Sequence, residues 1–221
     1  MPRKTRLFVP GLCHHAIQRG NNKQDVFNDD DDRLYYLQWV KMLAWQYPVA
    51  IIGYCLMTNH IHLLILPLTT EGVVNFMKLL SQRYSQYFNR KYHRSGRLWE
   101  NRYKIHPIDG EVYHVVLRYI ERNPVRAGMV SDGTAYEWSS ARYHVLGIPD
   151  PAVTADYIHI SCFTYKEFFY EQEHKEDVGA IRIAAQQGRA WGRPVFLEAL
   201  AEKLGRFVAP RPRGGQVRKS E

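Results

Sequence analysis

Cysteine is scarce in this chain. Three residues in 221, at positions 13, 55 and 162, are too few and too widely spaced for a disulfide framework or a Cys-rich zinc module. A reducing, cytoplasmic setting is the expectation. Long apolar runs are also missing. No stretch approaches the ~18 residues that a membrane span needs, and the basic start MPRKTR leads into FVPGLCHH, which proline, glycine and two histidines interrupt. Neither a membrane span nor an export signal is therefore expected. No internal repeat is present. Acidic residues are the minority charge, 22 Asp and Glu against 30 Lys and Arg, which leaves a formal +8 and a sequence pI near 9.4.

What is present is enough to fold. A 45% hydrophobic share with 24% charged residues excludes a wholly disordered chain. The length fits one large domain, or one domain of about 150 residues with an appendage. The positive charge is unevenly placed. Residues 1–6 carry +3, residues 78–104 carry eight basic side chains against Glu100 alone, and residues 205–221 carry five against Glu221. The rest of the chain is net acidic, so the excess describes a face suited to a polyanion. Aromatic residues in the central segment, such as Tyr84, Tyr87 and Trp99, are compatible with base stacking but fall mostly at helical spacing, which favours the core.

Periodicity predicts a strand over 12–18, then a helix whose N-terminus is marked by Asp29 to Asp32 and whose apolar side holds Leu34, Leu37, Val40 and Leu43. The aspartates are better explained as helix capping than as a metal site. Apolar runs at 49–57 and 60–66 predict two buried strands. Val73, Phe76, Met77, Leu80 and Tyr84 mark a second amphipathic helix, and 103–107 a fourth strand. This order, strand, helix, strand, strand, helix, strand, predicts an α+β fold: a ferredoxin-like or RRM-like antiparallel sheet with helices on one face. A further helix is expected from an Asp109 N-cap to Asn123, then a change of pattern that ends a first domain over 1–150, helices near 178–187 and 194–204 in an extension over 151–205, and a basic tail over 206–221 too poor in apolar residues to fold alone.

The sharpest chemical feature is His60-Ile61-His62 at the head of an apolar strand. Alternation puts His60 and His62 on one face, where two imidazoles suit a shared divalent cation. Two unrelated histidines explain the pattern about equally well. Two ligands do not complete a site: Cys55 would point to zinc, a carboxylate or amide to Mg2+ or Mn2+, and His14 and His15 on the neighbouring strand are also within reach. A metal beside a basic face suggests phosphodiester chemistry, with either an activated water or a tyrosine as nucleophile. Tyr113, in the first turn of the expected third helix, is attractive, but on the residues alone the reading as a core tyrosine is preferred, since fifteen tyrosines offer many candidates.

Four segments carry a resemblance: QRGNNKQDVF at 18–27, MTNHIHLLI at 57–65, SGRLWENRYK at 95–104, and YIERNPVRAGMV at 119–130 with WSSARYH following. In this order they resemble the HUH single-tyrosine transposases of the IS200-like type, in particular the REP-associated tyrosine transposases. The match spans most of residues 7–146, and the C-terminal segments are similar to an extension found in one branch. The resemblance implies metal held by His60 and His62, attack by Tyr113 on single-stranded or hairpin DNA to leave a 5′-phosphotyrosine, and a homodimer. In related enzymes a glutamine one turn after the tyrosine completes the metal site. Here that position is Leu117, which leaves the third ligand unassigned. Arg83, Arg94, Arg97, Arg102 and Lys104 are the expected phosphate contacts. The rival expectations are a nuclease that uses water on the same fold and a non-catalytic nucleic-acid-binding module.

Overall fold

The computed structural model describes residues 6–154 and 162–211. Its centre is a four-stranded antiparallel sheet of β1 (Cys13–Arg19), β2 (Val49–Met57), β3 (His60–Pro67) and β4 (Lys104–Ile108), in spatial order β2-β3-β1-β4. Helix α1 (Asp30–Gln46) connects β1 to β2, and α2 (Thr70–Lys91) connects β3 to β4. This is the expected element order.

Local chemistry accounts for the elements. Asp29 caps α1 by accepting from the Asp32 amide, and Lys91 bridges Asp29 and Asp32, so the aspartate run acts as cap and ion pair. Thr69 caps α2 through the Gly72 amide. One sheet face presents Ala16, Ile61, Leu63 and Ile65 to Val40 of α1 and to Phe76 and Leu80 of α2, forming the larger core.

The expected helices on one face are α1 and α2. A second helical layer covers the other face; its helices near 109–123 and 178–187 are expected as elements, but their place on the sheet is not. It begins with α3 (Tyr113–Glu121) and the short α4 (Asn123–Arg126), followed by α5 (Ala141–Leu146), α6 (Cys162–Tyr170), α7 (Lys175–Gln187) and α8 (Pro194–Leu204). Val116, Leu117 and Ile120 of α3 pack on Cys55 and Leu64 of the sheet, with Val145, Phe169 and Ile181 behind them. Gly53 permits the close approach: a Cβ there would lie 2.3 Å from Leu117 Cδ1 and 2.9 Å from Ser140 Oγ.

Helix α3 starts at Tyr113 rather than Asp109. Asp109 is engaged elsewhere, in a 2.7 Å ion pair with Arg193. That pair, a backbone bridge between Ile108 and Trp191, and the packing of α7 on β4 join the C-terminal extension to the edge of the sheet. Leu7 and Val9 close a third cluster with Ala190, Leu200 and Val208. Most of the expected basic tail, residues 212–221, lies outside the described residues.

Candidate active site

Register brings the histidines together. In β3, His60 lies opposite Arg19 of β1, and His62 lies opposite Ile17. One step along β1 on the same face, His15 lies opposite His106 of β4. Alternation therefore puts His15, Ile17, Arg19, His60, His62, Lys104 and His106 on the face that α3 covers. His14 points the other way, its Nδ1 2.8 Å from the Leu12 carbonyl, and does not join them.

The hydrogen bonds set which nitrogens are available. His60 Nδ1 is 2.6 Å from Asn59 Oδ1, and the Asn59 amide nitrogen donates to the Lys23 carbonyl, so His60 carries its proton on Nδ1. His62 Nδ1 is 2.8 Å from His15 Nε2. Burial pulls His60 down to about 4, with Arg19 adding to the effect, and pulls His62 well below its ordinary value, with His15 and His60 contributing. Both rings are therefore neutral near pH 7, the form in which imidazole offers a lone pair.

Both histidines line a cleft of about 470 Å³ whose other walls include Arg19, Arg102, Lys104, Tyr119, Asn123 and Arg182. Glu100, Asn101, Arg102, Lys104 and Gln186 also line an adjoining cleft of about 540 Å³ that reaches Arg97 and Arg6. The extension thus forms part of the wall, through Arg182 and Gln186 of α7.

The structure does not bring Tyr113 to the histidines. It is buried in the second core, its ring 6.0 Å from that of His114, and burial beside Cys13 pushes its phenol up, which disfavours the phenolate. Cys13 and the Arg19 that faces His60 are at opposite ends of β1, roughly 20 Å apart by strand rise. The tyrosine at the cleft is Tyr119, whose ring centroid is 6.0 Å from that of His62 and 6.0 Å from that of His15. The Arg126 guanidinium lies 4.4 Å from the Tyr119 ring centroid and pairs with Glu173 at 2.7 Å.

One helical turn beyond Tyr119 is Asn123. Its Nδ2 donates to the Tyr119 and Ile120 carbonyls, which turns its oxygen away from the helix. Among the described residues no group of three His, Cys, Asp or Glu is placed to hold a metal ion. Cys55 does not supply the third ligand: its thiol is 3.5 Å from Met57 Sδ, and burial pushes it up. Asn123 lines the same cleft as His60 and His62, and an amide oxygen is a ligand of the kind Mg2+ and Mn2+ take. Two neutral imidazoles, the Asn123 amide and open positions for phosphate oxygens form a donor set that fits Mg2+ or Mn2+.

Of the five expected phosphate contacts, Arg102 and Lys104 reach the histidine cleft and Arg97 the adjoining one. Arg83 does not, since it stacks 5.1 Å from Trp39 in the layer on the other side of the sheet. Arg94 donates to Gln24 Oε1 at 2.6 Å and lines neither cleft. Sequence reasoning missed Tyr119, Asn123, Arg126 and Arg182. The i, i+4 spacing of Tyr119 and Asn123 was the one available signal for the first two.

A cationic cleft with neutral imidazoles on a covered antiparallel sheet defines a protein that handles a polyanion. A family model described as Transposase IS200 like matches residues 8–123, so the chain belongs to the IS200-like transposase family and is an enzyme acting on DNA. A comparison with curated proteins finds no match. Among solved structures, a REP-associated tyrosine transposase bound to a REP hairpin is similar at a TM-score of 0.55 and 17% identity, over 73% of this chain and 96% of that one. That likeness shows the fold. A candidate transposase from Deinococcus radiodurans R1 aligns at 20% identity over 55% of this chain and 97% of that one, with a TM-score of 0.38, too low to define a shared fold. Among the described residues no helix is long and apolar enough to cross a membrane.

Proposed function

We propose that this transposase cleaves and rejoins single-stranded DNA, in the cytoplasm, through a covalent tyrosine intermediate with Tyr119 as nucleophile. The observation that carries the reading is that Tyr119 lines the same cleft as His60 and His62. The Tyr119 oxygen attacks the scissile phosphorus, the bond to the 3′ oxygen breaks, the phenol proton is lost to solvent, and the departing oxygen takes up a proton. The products are a 5′-phosphotyrosine and a free 3′-hydroxyl. Attack by a 3′-hydroxyl on the phosphotyrosine reverses the step and rejoins the strand.

His60, His62 and Asn123 would hold the divalent ion, Mg2+ or Mn2+. When bound, such an ion supplies positive charge that polarises a non-bridging phosphate oxygen. Arg126 against the Tyr119 ring holds the side chain in place. The DNA substrate would include a hairpin, as in the structural neighbour, and a homodimer is carried over from the resemblance.

The test is incubation of labelled single-stranded hairpin DNA with the protein and Mn2+. An adduct that survives denaturation is expected. Strand cleavage without an adduct would favour a water nucleophile, and tight binding without cleavage under any divalent ion a binding module.

The cleft cations lead to a second expectation. Replacing Arg102 and Lys104 together by alanine should weaken DNA binding across sequences and flatten the dependence of log affinity on log salt by about 1.4, two phosphate contacts on a single strand. Arg182→Ala should remove about 0.7 by the same rule. Arg83→Ala should leave the slope at the parent value, and fluorescence anisotropy over a salt series measures all three.

A further inference from the structure

We infer that His15 and His106 are positioning residues that fix the tautomer of His62, so that Nε2 is the atom His62 offers to the cleft. The inference rests on the reading of His62 as a metal ligand and adds what makes it one. Three buried rings form a chain: His62 Nδ1 lies 2.8 Å from His15 Nε2, and His15 Nδ1 lies 3.1 Å from His106 Nε2. Neither His15 nor His106 has any exposed surface, and the His15 and His62 rings are near parallel, 21° apart with centroids at 5.0 Å, as fits an in-plane hydrogen bond.

A hydrogen bond between two neutral imidazoles contains one proton, so the chain has only two arrangements. In one, each Nδ1–H donates inward, from His62 to His15 and from His15 to His106, and His62 Nε2 keeps its lone pair. In the other every proton is reversed, and His62 would direct an N–H into the cleft, where no cation could bind it.

The far end of the chain selects between them. In the first arrangement His106 Nδ1 carries a proton, and in the second it carries a lone pair. His106 Nδ1 is buried with no hydrogen bond of good geometry; the Arg189 carbonyl acts on the His106 ring as an acceptor, and with Nε2 engaged by His15, Nδ1 is the nitrogen left to face it. A carbonyl favours the proton on Nδ1 and hence the first arrangement. Arg189 is held there because Trp191 donates to the Pro107 carbonyl and Ala190 to the Val208 carbonyl. The C-terminal extension thereby acts on His62 through His106 and His15.

Two ion-pair clusters elsewhere lack this link to the cleft. Asp29, Asp32 and Lys91 cap a helix end, and Asp109 with Arg193 ties the extension to the sheet.

The test is Mn2+ binding to the full chain without DNA, followed by the electron paramagnetic resonance signal of free Mn2+. His15→Leu removes the acceptor for His62 Nδ1–H and should weaken binding about 10- to 100-fold. His15→Gln, whose side-chain oxygen can accept the same proton, should recover most of the affinity. Hairpin binding in EDTA should be unchanged in both. If the parent binds Mn2+ and His15→Leu binds it equally well, the positioning role is overturned while the metal reading stands. If the parent binds no Mn2+, both fall. Imidazole 15N shifts of the unaltered protein give a readout independent of any variant's folding. Protonated Nδ1 and unprotonated Nε2 at His62 are expected, and the reverse pattern overturns the inference.

Discussion

Tyr119→Phe should abolish the covalent protein–DNA adduct, a loss of at least about a thousandfold in rate, because it removes the only attacking atom and leaves the ring in place. Tyr113→Phe should form the adduct at close to the parent rate. The contrast follows from helix geometry. Six residues of α-helix turn through about 600°, so the two side chains point roughly 120° apart and are offset by about 9 Å along the axis. Tyr119 meets the rings of His15 and His62, while Tyr113 points into the apolar layer beside Cys13. The conservative change keeps the Arg126 contact, since a guanidinium lies over phenylalanine almost as well as over tyrosine. Hairpin binding by Tyr119→Phe should therefore stay within about threefold of the parent, which separates loss of chemistry from loss of fold. The measurement is a denaturing gel of labelled hairpin DNA with Mn2+. An adduct retained by Tyr119→Phe and lost by Tyr113→Phe would return the nucleophile to Tyr113.

Sequence periodicity located the first six elements, most clearly α2 with its three-and-four spacing, but it did not fix every buried face: α1 buries Tyr36, Val40 and Leu43 while Leu34, on its expected apolar side, is exposed. It was insufficient for α3. Its polar residues Arg118 and Glu121 are buried against groups some 20 to 50 residues later in the chain. Local pattern carries no information about such partners. The same limit applies at the site. His60 and His62 share a face by strand alternation alone, whereas His106 joins them only through the register of β4 on β1. Arg182 reaches the cleft because α7 folds back on β4. Leu117 one turn after Tyr113 was an informative misfit: moving the tyrosine to 119 moves the next-turn position to Asn123, whose amide can ligate.

Glu121→Leu should destabilise the protein by about 3–5 kcal/mol, the range for removing one partner from a buried charged network. The carboxylate is fully buried and accepts from three groups: Ser140 Oγ at 2.6 Å and His144 Nδ1 at 2.7 Å on one oxygen, and Tyr165 Oη at 2.8 Å on the other. Those donors come from the segment before α5, from α5 and from α6, and Ser140 Oγ also receives the Tyr54 amide of β2. Leucine matches the volume but leaves three donors without an acceptor in a site closed to water, so desolvation rather than packing dominates the cost. Glu121→Gln keeps one acceptor oxygen and should cost about half as much. For a chain of this length, about 3–5 kcal/mol corresponds to a fall in Tm of roughly 6–20 °C, measurable by urea or thermal unfolding. A cost below about 1 kcal/mol for Glu121→Leu would mean that the donors find other partners. Glu121 ends the helix that carries Tyr119, so the node fixes the rotation of α3 on the sheet. A loosened node should therefore slow adduct formation more than it weakens hairpin binding, because phosphate contacts tolerate a shift of an ångström and in-line attack does not.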